Sequence, residues 1–321
     1  MASHPFMQKA TSEDFDEQRY LRANPDVAAA VRAGSLNSGL EHFTSFGQAE
    51  GRRQAVAQDL LAQLKQRKLE RIRPLLRTDL PCVEAPRYFD FLSEDLRDQF
   101  RIIDTEAVSS NGYDGHVMAL IHKHEAGLVL DCGAGSRTEY FDNVVNFEIA
   151  DYDSTDVRGV GEVLPFQDGV FDAVISIAVL EHVKDPFLCA KEIVRVLKPG
   201  GELICCVPFL QPLHGYPHHY YNMTHQGLEN LYRDSMAIDR VEVYDSVLPI
   251  WSLSWMLTSW AAGLEGSVRE DFLQMRVADL MDDPMGQVHK PFVRNLSAEV
   301  NRELASANVL FAHKPTGPVG R

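Results

Sequence analysis

Up to about residue 126 the apolar positions of this chain recur at helical spacing; from Gly127 onward short apolar runs alternate with amphipathic stretches. The runs Leu128–Asp131, Val144–Ile149, Asp156–Val160, Ala173–Ile177, Glu202–Val207, Arg240–Asp245 and Asn308–Ala312 read as strands. Helical patterns fall between several of them, most clearly Asp185–Leu197 and His225–Tyr232, the latter with Thr224 placed as N-cap. Pro199-Gly200-Gly201 makes the turn into the fifth strand. Alternation of this kind predicts an α/β fold built on a doubly wound parallel sheet.

The part before Gly127 divides by its own punctuation. Residues 1–14 are polar and read as a flexible N-terminus. In the module spanning 15–53, Asn24 reads as a cap with Pro25 at the first helical position, and Gly34 as the stop. Leu40, Phe43 and Phe46 then form one face of a short helix ended by Gly47. Residues 54–112 read as a helical connector, with Gln54–Leu76 and Asp90–Arg101 as its helices. The main domain spans 113–314, with Tyr113–His124 as lead-in helix and 246–306 as a helical insertion, before a flexible tail at 315–321. The insertion opens on a tryptophan-bearing run, 247–264, too short and serine-laden for a membrane span. It reads as a buried lid helix or as a surface helix dipping into lipid.

Composition narrows the partners. With 321 residues, 46 acidic side chains against 31 Lys and Arg, and a formal charge of -15, the chain is not built for nucleic acid or an anionic membrane. The one basic run, Lys65 to Arg77, reads as a solvated helix face. The first residues lack an apolar core of the kind a secretory signal needs. The five cysteines are mostly embedded in apolar runs and read as small core residues in a reducing cytoplasm.

The chemistry starts at Gly127–Ser136. A strand ends on Asp131, and Cys132, Gly133, Ala134 and Gly135 follow as a tight loop at the carboxyl end, where open α/β sheets bind ligands. A dinucleotide site wants Gly-x-Gly-x-x-Gly at a helix start, but Thr138 holds the third glycine's place and acids follow. S-adenosylmethionine has no phosphate to cradle, and an acid near its cationic end is useful. Only eight residues separate Gly135 from Val144, so a helix there has at most a turn or two.

Five motifs then follow in order: Asp131-x-Gly133-x-Gly135, an acid at a strand end (Glu148), Leu164-Pro165-Phe166 before Asp168-Gly169, Leu180-Glu181-His182-Val183, and Leu197-Lys198-Pro199-Gly200-Gly201. Together they resemble the class I S-adenosylmethionine-dependent methyltransferases over roughly residues 127–232. The resemblance implies a Rossmann-like seven-stranded sheet whose last strand is antiparallel. It also implies S-adenosylmethionine as cofactor and S-adenosylhomocysteine as product. Asp131, Cys132, Gly133, Ala134 and Gly135 correspond to the loop under the methionine end. Glu148 corresponds to the acid that takes both ribose hydroxyls, and Ile149 to the residue against adenine. The family often has an acid where this chain has Val160; Glu162 and Val163 are the candidates to replace that contact. Ile177 and Ala178 correspond to the stretch that closes over the sulfonium. His182 reads either as packing at a helix start or as facing the donor methyl. Asp172 reads as ordering the Leu-Pro-Phe loop.

After the fifth strand comes a cluster in which His214, His218, His219 and Tyr220 lie where an acceptor enters. Related methyltransferases carry a similar stretch ending in a Thr that starts a helix. With His182 these are the candidate catalytic residues, since an alcohol acceptor gains from a base that titrates near neutrality. The histidines lack the acid set typical of a metal site, and no metal is expected. The expected function is O-methylation of a sugar-containing or other small hydroxylated acceptor, with 247–264 as the candidate for peripheral membrane contact and the oligomeric state open. The saccharide rests on the 15–53 module, which resembles helical modules of bacterial glycan-assembly proteins. The alternatives are N- or C-methylation of a natural product or lipid-linked substrate, or an idle cofactor-binding scaffold.

Overall fold

The computed structural model describes residues 3–56, 58–104, 112–215 and 218–310. It divides into two units, Met1–Pro208 with Tyr216–Arg240, and Phe209–Gly215 with Val241–Arg321.

The first unit is organised on a seven-stranded sheet: β1 (Val83–Glu84), β2 (Phe89–Asp90), β3 (Val129–Cys132), β4 (Val144–Glu148), β5 (Val157–Arg158), β6 (Phe171–Ile177) and β7 (Leu197–Cys206). Their spatial order is β7-β6-β3-β4-β5-β2-β1. Every neighbouring pair is parallel except β1 with β2. The winding reverses between β3 and β6, so the crevice at their carboxyl ends is the switch point where such sheets bind ligands.

Alternation along β3 explains the two cores. Val129 faces one side with Val117, Leu120 and Ile121 of the helix Gly115–Lys123. Leu130 and Cys132 face the other, with Leu69 and Ile72 of the helix Gln58–Ile72 and with Cys189, Ala190, Ile193 and Val196 of the helix Pro186–Val196. Thr224 is the N-cap the sequence predicts, accepting from the Gly227 N–H of the helix His225–Tyr232, and Asp185 caps the helix Pro186–Val196 by accepting from the Leu188 N–H.

Several expectations give way to tertiary pairing. The antiparallel edge strand is β1, from the connector. The expected strand at 240–245 is irregular chain with Val241 45% and Val243 67% exposed, because alternation alone makes no strand without a partner edge. Residues 308–310 are likewise not a strand, and 311–312 lie outside the described residues, as do 1–2 and the tail 315–321. Instead of a short helix after the glycine loop, Glu139–Phe141 is a strand paired antiparallel with Ser3–Pro5. Met7–Lys9 pairs with Arg53–Ala55. Two stretches of the expected flexible N-terminus are therefore ordered as sheet.

The 15–53 segment packs Tyr20, Val27 and Phe43 into a small core of its own. Asn24 holds the N-cap position before Pro25, yet its side chain donates to the Tyr20 and Arg53 carbonyls, both at 2.8 Å, and caps nothing. Of the expected face only Phe43 is buried; Leu40 is 48% and Phe46 55% exposed. Gly47 is required by contact, since a Cβ there would lie 2.1 Å from the Tyr20 hydroxyl.

The basic run is not wholly solvated. Lys65 Nζ donates to the Asp153 and Thr155 carbonyls at 2.7 and 2.6 Å. Lys68 Nζ donates to the Val144 carbonyl at 2.6 Å and pairs with Asp156 at 3.1 Å, over the Tyr140 ring. Both lysines are buried. The connector helix thereby ties itself to the amino end of β4 and the entry of β5.

In the second unit the described residues form no strand. Its long helix, Pro249–Ala262, places Ala261 in a core with Leu264 and Phe272, on which Trp260, Phe292 and Leu296 pack. Gly263 lets that helix end against Val300, whose Cβ would lie 2.8 Å from an added Cβ.

Candidate active site

The glycine loop leaves β3 through Gly133 (φ +81°) and Gly135 (φ +64°), both in the left-handed region that favours glycine. At Gly133 the close neighbour is protein: an added Cβ would meet Val179 Cγ2 at 2.4 Å. Cys132 and Ala134 are buried beside them. Asp131 is wholly buried and accepts from Arg137 Nε at 2.8 Å, Arg137 Nη2 at 2.7 Å and the Tyr113 hydroxyl at 2.5 Å, all on Oδ2. Its Oδ1 has no hydrogen-bond partner. Burial pushes the Asp131 carboxyl above its ordinary range, against the pull of Arg137 and Tyr113. The Arg137 guanidinium in turn lies 4.2 Å from the Tyr113 ring centre.

Glu148 closes β4. Its Oε2 accepts from the Gly135 N–H at 2.7 Å and its Oε1 from the Ile149 N–H at 2.8 Å, so strand end and glycine loop are tied together. Burial raises its pKa, and those backbone donors oppose the rise. Each carboxylate oxygen keeps further lone-pair capacity for a hydroxyl. A cradle of left-handed glycines, a partly shielded acid at the next strand's end and the orphaned Asp131 Oδ1 fit a ligand with a cationic amine and a ribose diol.

Val160 and Val163 pack with Leu92 and Phe100 as an apolar cluster. Glu162 points away from that role: its Oε1 accepts from the Lys184 and Asp185 N–H groups at 3.0 and 3.2 Å and so anchors the entry to the helix Pro186–Val196. Asp172 does not order the Leu-Pro-Phe loop. It accepts from the Leu128 N–H and from Lys198, both at 2.8 Å. Glu192 and Arg195 hold that loop instead, through the Leu164 N–H and the Leu164 and Phe166 carbonyls.

At the end of β6, Ile177 is followed by Ala178 at φ +55°, a strained conformation for a residue with a Cβ. Its N–H donates to the Cys206 carbonyl at 3.0 Å. Beyond it lies the acid of the Leu180–Val183 motif, to which the sequence assigned no role. Glu181 is 0% exposed, neither of its carboxylate oxygens has a hydrogen-bond partner, and burial pushes its pKa up to about 8. Its backbone carbonyl accepts from the Tyr220 N–H at 2.6 Å, fastening the post-β7 segment to this point.

His182 Nε2 lies 3.8 Å from Glu181 Oε1, and its Nδ1 donates to the His218 carbonyl at 2.7 Å. Its ring meets that of His219 edge to face, 5.6 Å between centres. His219 Nε2 bonds Asn222 Oδ1 at 2.9 Å. His218 turns elsewhere: its Nε2 donates to the Arg101 carbonyl at 2.9 Å and its ring lies 5.2 Å from Tyr220. The structure therefore brings His182 and His219 together, with His218 and Tyr220 as a second pair. His214 belongs to the second unit, where Nδ1 donates to the Pro212 carbonyl at 2.8 Å and the ring lies 5.2 Å from Trp255. Arg137 and Tyr113 were not singled out from sequence, and Glu181 was named there only as part of the Leu180–Val183 motif, without a role. Arg137, two residues past the glycine pair and near a strand-end acid, left a faint signal; Glu181 stood in the Leu180–Val183 motif, but nothing local marks an acid as buried without a partner.

Known proteins give an independent reading. Residues 128–205 match the family model described as a methyltransferase domain. An uncharacterized methyltransferase of Mycobacterium sp. (strain JLS) is 41% identical over 70 residues, 22% of this chain and 27% of that protein. Cycloartenol-C-24-methyltransferase 1 of Oryza sativa subsp. japonica is 57% identical over 37 residues, 12% of this chain and 11% of the relative. Demethylmenaquinone methyltransferase of Mycolicibacterium gilvum is 44% identical over 59 residues, 18% and 25% of the two chains. The chain thus spans about a quarter or less of the length of these relatives. Among solved structures, the YcgJ protein of a Bacillus aligns over 49% of this chain and 88% of its own, at 17% identity and a TM-score of 0.31. Residues 128–205, which carry the glycine loop, Glu148 and Glu181-His182, are thus similar to a methyltransferase domain.

Proposed function

We propose that the whole chain is an S-adenosylmethionine-dependent methyltransferase that O-methylates a small hydroxylated, sugar-containing acceptor, with His182 as the base. The observation that carries this reading is the Glu181-His182 arrangement at the end of β6. Nδ1 of His182 donates to a backbone carbonyl, so the lone pair of the neutral ring sits on Nε2. That nitrogen faces Glu181 at 3.8 Å. Once Nε2 takes the proton of an acceptor hydroxyl, the Glu181 carboxylate, which becomes populated as pH rises toward its pKa of about 8, steadies the imidazolium.

Asp131, Cys132, Gly133, Ala134, Gly135, Glu148 and Ile149 hold the cofactor, with Val163, Ile177 and Ala178 as walls; it supplies an electrophilic methyl group. His219 orients the acceptor beside His182, and Tyr220 fastens the segment that carries it.

The experiment is turnover with methyl-labelled S-adenosylmethionine against a panel of sugars and other alcohols, following S-adenosylhomocysteine release. Label on oxygen supports the reading, and donor binding with no acceptor turned over favours a scaffold. The rice relative is named for transfer to carbon, and label on carbon would favour that second reading.

A further inference from the structure

The groove on the second unit is a candidate site outside the methyltransferase domain. It is about 430 Å³ and is lined by Gln211, Ser246, Trp251, Ser254, Trp255 and Thr258. Four of these come from one face of the helix Pro249–Ala262, at spacings of three and four residues: Trp251, Ser254, Trp255, Thr258. Aromatic faces and hydroxyls therefore alternate along one stripe, while Gln211 and Ser246 contribute an amide and a hydroxyl from the flanking chain. Trp251 is 61% exposed, with its indole N–H donated to the Asp245 carbonyl at 2.8 Å, so the ring is held in place while staying open to a ligand. Trp255 is 36% exposed and is backed by the His214 ring. The third tryptophan shows the contrast. Trp260 stacks on Phe272 and donates to the Phe292 carbonyl as part of the core.

No charged side chain lines this groove among the described residues. A nucleotide, phosphate or ionic peptide has no counter-charge there. An anionic lipid surface is disfavoured too, because the unit carries more Asp and Glu than Lys and Arg. The chemistry that fits is a neutral ligand with an apolar C–H face for each indole and hydroxyls around its rim, which describes a pyranose ring. Two rigid aromatic platforms one helical turn apart suit consecutive rings.

We infer that the Trp251–Trp255 groove binds a neutral saccharide of more than one ring. This deepens the acceptor class in the reading above and rests on that reading only for the purpose of binding.

The test is calorimetric and tryptophan-fluorescence titration of the full chain with neutral hexose and N-acetylhexosamine oligosaccharides, with no methyl donor present. Trp251→Ala, Trp255→Ala and Ser254→Ala are measured alongside, as is binding to neutral phosphatidylcholine vesicles. At least one saccharide binds the parent chain, and each tryptophan substitution weakens it by about tenfold or more. Ser254→Ala, which keeps both rings, separates lost contact from lost folding and weakens binding less. Absence of binding across the panel overturns the inference, as does binding that survives both tryptophan changes, or vesicle binding in place of sugar binding. Donor titration of the same samples keeps the two readings apart. Glu148-dependent donor binding with no sugar bound fails the groove alone, whereas sugar binding without donor binding fails the methyltransferase reading alone.

Discussion

Arg137 Nη2 sits 2.7 Å from Asp131 Oδ2, and both side chains are almost entirely out of water. The acid that closes the first parallel strand of the domain is thus half used by the protein itself, while its other oxygen stays unpartnered. Removing Arg137 leaves a buried charge without its counter-ion. Arg137→Leu therefore destabilises by about 3–5 kcal/mol, read as a lower midpoint in urea. Adding Asp131→Asn to it recovers much of the loss, and a double-mutant cycle with no coupling would contradict the pairing.

Glu148 accepts from the Gly135 N–H, and in the proposed function it takes the ribose diol of the cofactor. Glu148→Ala weakens S-adenosylmethionine binding by about 10- to 100-fold, the worth of charge-assisted hydrogen bonds. Calorimetry measures it directly. An unchanged Kd with the fold intact would remove Glu148 from the cofactor site.

Glu181 carries a pH signature. Its folded pKa of about 8 lies above its ordinary 4.5, so between those values the native state holds the extra proton. Stability then falls as pH rises through that window, by up to about 1.4 kcal/mol per pH unit. Compared with Glu181→Gln, the parent chain loses ground steadily from pH 5 to pH 8 and the gap levels above it. Urea midpoints of the two proteins across that range are the measurement, and parallel profiles would be the contrary result.

His182 is expected to act on the acceptor and not on the donor. His182→Ala lowers turnover by about a hundredfold or more and leaves donor affinity within about twofold, below the 1.4 kcal/mol that a tenfold change represents. His219→Ala behaves in the same direction with a smaller loss. Donor binding lost together with turnover would move His182 into the cofactor site.

Lys68 and Arg67 are neighbours with opposite fates, one buried against Asp156 and the other exposed. Lys68→Met costs about 3 kcal/mol or more, because Asp156 stays buried without its cation. Arg67→Ala stays within about 0.5 kcal/mol. Thermal melts of the pair distinguish this arrangement from a uniformly solvated face.

How much of this was legible depends on the range of the forces involved. The parallel core from Leu128 to Cys206, the helix from about Asp185 and the capped helix behind Thr224 were readable, because periodicity, caps and glycines act within a few residues. The order of acids and glycines at strand ends was readable for the same reason: a parallel strand always delivers its carboxyl end to the same side of the sheet. Partner choice between distant segments was not readable. Val83–Glu84 became the antiparallel edge, the alternating run at 240–245 found no edge to join, and Ser3–Pro5 took the place next to Glu139–Phe141 where a short helix was expected. Long-range burial was equally hidden. Lys65, Lys68 and Arg137 look like surface cations in sequence, and only the packing of β4, β5 and the glycine loop against them decides that they are buried and paired. Local pattern determined the elements and the chemistry they carry; tertiary contact decided which charges are held inside and which side chains meet.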